Sequence, residues 1–157
     1  MACVNLFVGG GNGSVPIGIT YSKGKCVYED KYTQRTFMGF DKNNNMVLRE
    51  GMTRDLAESL GVRDGVCFQT NNILIQKNGD KLTVRRRNDS AASQRTAIGQ
   101  REDGAVIFIV TDGRTPASLG ASFNDMIDLM LRYGAVNAGM LDGGSSSMLY
   151  YLSLIHI

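Results

Sequence analysis

Histidine and tryptophan are almost wholly missing. Among 157 residues there is one His, His156, beside the C-terminus, and no Trp. A lone terminal histidine removes Ser-His-Asp triads, paired-histidine acid–base chemistry and His-rich metal centres. Cysteine is scarce as well. Cys3, Cys26 and Cys67 lie far apart and form no CxxC pair, which argues against a disulfide framework or a zinc knuckle and reads as small buried hydrophobes. Long apolar runs are absent: nothing approaches the roughly 20 residues that a bilayer-spanning helix needs. The N-terminus has no basic segment ahead of an apolar one, so no secretory leader is read and a cytoplasmic, reducing compartment is expected. Charge of one sign is also lacking. With 17 Lys plus Arg against 15 Asp plus Glu, the net charge is +2. That is too small to announce a nucleic-acid polymer or an anionic membrane as partner, so any basic site must be local.

What is present suits one globular domain, expected over residues 1–152. The hydrophobic set makes up 43% and charged residues 20%, ordinary values for such a fold. The 19 glycines exceed the typical share of about 7%, so turns and backbone-lined sites should be plentiful. Short strands are read over 2–8, 15–21, 26–29, 36–40 and 46–49. A hairpin turn falls at Ser22-Lys23-Gly24-Lys25, and another at Asn78-Gly79 between strands over 73–76 and 81–84. Thr53 and Gly61 bracket a short helix. A third hairpin pairs 96–100 with 105–111, and its second strand, Val106-Ile107-Phe108-Ile109-Val110, reads as central and buried on both faces. Ser122-Phe123-Asn124-Asp125 has capping-box spacing, and Phe123, Ile127, Met130 and Leu131 then form an apolar stripe up to Gly134. Strands over 135–141 and 147–152 follow. The expected class is α+β: a mixed, largely antiparallel sheet with one main amphipathic helix and a shorter one. The polar run 85–94 is the natural mobile flap.

Three clusters place charge beside glycine at a strand end. In the first, Arg95 opens the strand Arg95-Thr96-Ala97-Ile98-Gly99; its guanidinium fork suits phosphate or carboxylate, although a surface salt bridge would also explain it. The second, Asp112-Gly113-Arg114, could meet one ligand with both charges or could be a simple turn. The third is Asp142-Gly143-Gly144-Ser145-Ser146-Ser147, where amides and hydroxyls lie beside a carboxylate, with a plain flexible loop as the alternative. Two aspartates, two arginines, hydroxyls and free amides suit carboxylate chemistry on a phosphorylated or sugar-like substrate. The early run Gly9-Gly10-Gly11-Asn12-Gly13-Ser14 lacks the Gly-Lys-Ser/Thr ending of a P-loop.

In order and spacing, these three clusters and the capped helix ending in Gly134-Ala135 resemble the phosphodiester glycosidase family, over about 55 residues. Val4-Asn5-Leu6-Phe7, then Pro16-Ile17-Gly18 and Gly24-Lys25, extend a weaker similarity to the N-terminal third. Two departures stand out. Ser145 replaces the family's third loop glycine, which requires a negative φ there. The ending, 152–157, looks like translated adapter sequence, so 153–157 is expected to be a non-native tail and the domain a shortened one. The resemblance implies hydrolysis of a bond between an anomeric carbon and a phosphodiester. Asp142 or Asp112 would serve as nucleophile or base, Arg95 and Arg114 would hold the phosphate, and Asn5, Thr96, Gly143, Gly144, Ser145, Ser146 and Ser147 would orient the ligand. No cofactor is required, although two aspartates leave room for a divalent cation. The partner is a small phosphorylated sugar or nucleotide, with no polymer and no membrane. Two further readings are a phage-encoded protein that cleaves or sequesters a nucleotide immune signal, and a non-catalytic ligand-binding or virion module. Exposed sheet edges would also permit a homo-oligomer.

Overall fold

The structure is a computed structural model that describes residues 2–4, 15–30, 35–89 and 91–151. Asn5, the glycine run 9–13, His156 and the tail 153–157 lie outside the described residues. The elements run β1 (Ala2–Val4), β2 (Ile19–Ser22), β3 (Lys25–Glu29), β4 (Thr36–Asp41), β5 (Met46–Glu50), α1 (Arg54–Ser59), β6 (Val62–Phe68), β7 (Ile73–Asn78), β8 (Lys81–Val84), β9 (Arg95–Arg101), β10 (Val106–Thr111), α2 (Phe123–Arg132), β11 (Ala135–Met140) and β12 (Leu149–Tyr151). They form two five-stranded sheets, ordered β3-β2-β6-β4-β5 and β10-β9-β11-β7-β8, and a small pair, β1-β12. Every described pairing is antiparallel. The expected single mixed sheet is therefore corrected to two antiparallel ones in a strand-rich fold. Alternation along a strand reveals which residues share a face; it does not reveal how many sheets the strands join.

Three apolar clusters define the layers. Phe37, Ile19 and Cys67 from the first sheet pack with Ala57 of α1. Met38, Leu48 and Phe68 turn the other way and meet Ile73, Leu141 and Ile98 of the second sheet. On the far face of that sheet, Ala97, Ala138 and Leu74 receive Phe123, Met126, Ile127 and Met130 of α2. The order is helix, sheet, sheet, helix, so β4 is buried on both faces. Each large apolar side chain removed from water contributes about 1.5–3 kcal/mol. Both helices start where the sequence says. The Thr53 hydroxyl accepts from Leu56 N–H, while Ser122 and Asp125 form a reciprocal capping box. Gly61 and Gly134, both at positive φ, follow the helix ends.

Three local readings change. The hairpin at 22–25 holds, with Lys23 and Gly24 both at positive φ, but the next turn falls one residue later than expected. Asn78 pairs with Lys81, so Gly79-Asp80 is the loop, and positive φ at Gly79 alone is the type II′ pattern. β6 is not among the expected strands. In it Gly65 pairs with Gly39 across β4, and a Cβ on Gly65 would lie 2.3 Å from the Phe37 ring. Glycine is needed there for close approach rather than for turning. Finally, β10 is an edge strand among the described residues, and Val106 is 43% exposed. Its apolar sequence reflects Ile107 and Ile109 packing toward α2; composition carries no information about a missing neighbour.

The antiparallel order gives the two ends of the molecule different characters. Tight turns close one end. At the other gather the starts of β4, β7 and β9, the ends of β5, β6, β8, β10 and β11, and the N-terminus of α2.

Candidate active site

That second end holds all three sequence clusters. β9 lies between β10 and β11, with Thr111 opposite Arg95 and Leu141 N–H bonded to Thr96 O at 2.8 Å. Asp112 and Asp142 therefore leave the two strands that flank Arg95. With strands about 4.8 Å apart, their backbones are separated by roughly 10 Å.

One residue joins the two aspartate loops. Gln94 O accepts from Gly144 N–H at 2.9 Å, and Gln94 Nε2 donates to Gly113 O at 2.7 Å. Gly143 lies so close that a Cβ there would sit 2.9 Å from Gln94 O. Sequence reasoning missed Gln94, because a glutamine in a polar loop gives no signal until its partners are known. Within each loop the carboxylate turns back on its own chain: Asp112 Oδ1 accepts from Gly113 N–H at 2.8 Å, and Asp142 Oδ1 from Gly143 N–H at 3.0 Å.

Arg95 is half-buried and already engaged. Its Nε donates to Ala121 O at 3.1 Å and its Nη2 to Ala91 O at 2.9 Å. Three of the five guanidinium N–H groups remain for a ligand. Those two bonds pin the described part of 85–94 to the start of α2. So do Asn124, whose side chain bonds both the N–H and the C=O of Arg87, and the Arg86–Asp128 ion pair. The expected flap is a fastened strap.

The remaining residues divide by exposure. Asp112 and Arg114 are exposed, and Arg114 has φ 55°, an uncommon conformation for a residue with a side chain. Asp112 borders a groove of about 500 Å³ shared with Asp125, Asp128 and Arg132 of α2. The backbone N–H and then the hydroxyl of Ser122 hold the Asp125 carboxyl below its ordinary range. Asp142, Gly143, Gly144, Ser146 and Ser147 are half-buried and Ser145 is exposed, with Gly144–Ser146 forming one 3-10 turn. Gly144 carries the positive φ, 65°, and Ser145 does not, so the departure from a third glycine fits the turn. Thr96 is fully buried, and its hydroxyl and that of Ser147 have no hydrogen-bond partner. Asn5 cannot be placed, since it is outside the described residues. Among the described residues no three His, Cys, Asp or Glu side chains gather as a metal site.

Comparison with known proteins bears on the family and the fold. A family profile described as phosphodiester glycosidase matches residues 2–156. The fold resembles the catalytic domain of zebrafish N-acetylglucosamine-1-phosphodiester alpha-N-acetylglucosaminidase, auto-inhibited by its pro-peptide. The TM-score is 0.70 at 20% identity, covering 94% of this chain and 52% of that one. A hypothetical protein from Synechocystis matches with a TM-score of 0.63 at 12% identity, over 95% of this chain and 47% of that one. A 53-residue stretch, 34% of this chain, is 51% identical to the SPbeta prophage-derived uncharacterized protein YomE of Bacillus subtilis (strain 168), of which it spans 8%. The chain thus spans about half the length of the solved structures it matches and a small part of the prophage protein. With a profile match along nearly its whole length, the chain belongs to the phosphodiester glycosidase family.

Proposed function

We propose that the loop-bearing end of the second sheet hydrolyses the bond between a sugar's anomeric carbon and a phosphodiester. The observation that carries this reading is Arg95 on β9, flanked by Asp112 and Asp142 on the two neighbouring strand ends. The free N–H groups of Arg95, with Arg114 from the loop that follows β10, would hold the phosphate and stabilise charge as it leaves. Phosphate is a good leaving group, so the scarcity of histidine costs little. Asp142 or Asp112 would attack the anomeric carbon or activate water. The hydroxyls of Ser145, Ser146 and Ser147 would orient the sugar; the Gly143 and Gly144 amides, expected from the sequence to do so, are taken by the Asp142 carboxylate and Gln94 O and instead hold the loop in shape. The likeness to the zebrafish protein, named as a glycosidase of this kind, supports the choice of substrate class.

The test is phosphorus NMR of a glycosyl phosphodiester incubated with the protein. A new phosphate-monoester resonance is expected, together with its loss in Asp142→Asn. Turnover that survives both Asp142→Asn and Asp112→Asn would overturn the assignment.

A further inference from the structure

Next to the candidate active site, at the same end of the molecule, a cavity of about 480 Å³ is lined by Thr70, Asn71, Ile73, Arg85, Arg86 and Arg87. It lies between the connection from β6 to β7 and the strap that follows β8. We propose that this cavity binds the phosphate of a small phosphorylated polyol, a sugar or nucleoside phosphate, with Arg87 as its fixed cation and Arg85 as a second.

Arg87 is built into place. Asn124 clamps its backbone from both sides, Oδ1 accepting at 3.0 Å and Nδ2 donating at 2.7 Å. The guanidinium lies over Phe123, 3.5 Å from the ring centroid, and its Nη2 is buried without a hydrogen-bond partner. Arg86 is neutralised by Asp128. Neither Arg85 nor Arg87 has an ion-pair partner among the described residues. Burial holds the Arg87 guanidinium below the usual arginine value; Asp89 opposes this, nearby Arg95 adds to it and Glu50 opposes it. A held, partly dry cation with no direct ion pair is costly in the empty protein, and an anion in contact with it lowers that cost. A pre-oriented guanidinium fork suits phosphate oxygens.

The neighbouring space supplies the polyol. A second cavity, about 410 Å³, is lined by Glu50, Gly51, Thr70 and Asn71, so Thr70 and Asn71 form a wall common to both. Glu50, held by the Thr36 hydroxyl at 2.7 Å, accepts hydrogen bonds and would repel phosphate. A ligand spanning both would place its phosphate toward Arg87 and its hydroxyls toward Glu50. This goes beyond the proposed function: the cavity is a second phosphate subsite, apart from the phosphate that Arg95 would hold, and it rests on that reading only for the class of ligand.

Calorimetric titration of the intact protein with inorganic phosphate, glucose 1-phosphate and a nucleoside 5′-monophosphate tests the proposal. Phosphate compounds should bind, and Arg87→Leu, which keeps a side chain on Phe123, should weaken them at least about tenfold. Exposed Arg85→Gln should weaken them about threefold, and the surface control Arg63→Gln should not. Glu50→Gln should weaken the two polyol phosphates and spare inorganic phosphate; the tighter of the two identifies the source. Unchanged affinity in Arg85→Gln together with Arg87→Leu, or no wild-type binding up to about 10 mM, overturns the proposal. Should Arg87→Leu fail to fold, unchanged affinity in Arg85→Gln alone does so. Arg87-dependent binding without any turnover keeps this subsite and rejects the hydrolase, whereas turnover with Arg87-independent binding does the reverse.

Discussion

Replacing Arg95 by methionine should destabilise the protein as well as silence it. The new side chain has similar reach and no donors. It removes Nε–H to Ala121 O at 3.1 Å and Nη2–H to Ala91 O at 2.9 Å, bonds that hold the strap and the start of α2 to one strand. A hydrogen bond from a charged donor is worth about 1.5–3 kcal/mol when sheltered. The first bond is half-buried and belongs near the lower value. The second is exposed, so solvent screening limits it to under about 1 kcal/mol. The loss should be about 2 kcal/mol, lowering Tm by about 6 °C in a chain of this size. Arg95→Lys keeps the charge but cannot fork to both carbonyls, so it should recover about half of the loss. Urea unfolding measures the stability, and amide exchange at Ser93 and Ala121, whose N–H groups bond across the same junction, reports where it is lost. A change below about 0.5 kcal/mol in Arg95→Met, with exchange unaltered, would refute the argument and leave Arg95 a ligand contact only.

Two other expectations follow from packing and charge. Gly65→Ala places a Cβ 2.3 Å from the Phe37 ring and 2.8 Å from Gly39 Cα, where two backbones leave no room. A loss of about 3 kcal/mol is expected by denaturant unfolding, and wild-type stability would contradict the close approach. Asp125 is held below its ordinary pKa by the Ser122 N–H and hydroxyl, and Asp64 by Lys23 N–H and Arg63. A carboxylate depressed on folding contributes stability that is present above its unfolded pKa and vanishes as pH falls through the folded value. Tm should therefore drop between about pH 5 and 2, and Asp125→Asn should flatten that drop; parallel curves for the two proteins would count against it.

The legible part of this molecule was local. Ser22 to Lys25, Thr53, Ser122 and Gly134 announce their turns and caps because the signal and its partner lie within a few residues. Gly65 gives no local sign of its strand because its reason is Phe37, a strand away. Ile109 misled because an apolar strand reads the same whether its second neighbour exists or not. At the site, the aspartates, Arg95 and the glycine–serine loop stand out as charge beside glycine. Gln94 and Arg87 do not, since their meaning comes from Gly113, Gly144, Phe123 and Asn124, up to 50 residues away. The count of sheets was hidden for the same reason: alternation records faces, and only tertiary contact sorts faces into layers.

The unequal ends have a practical side. The short reversals at Lys23-Gly24, Gly79-Asp80 and Gly104 sit at the end of the sheets opposite Asp112 and Asp142. Positions 79 and 104 face open space. A dye, a tether to a surface or a grafted peptide placed there would be carried by the tight turns while ligands enter at the opposite end, so the protein could be immobilised in a defined orientation with its candidate catalytic loops presented to solution.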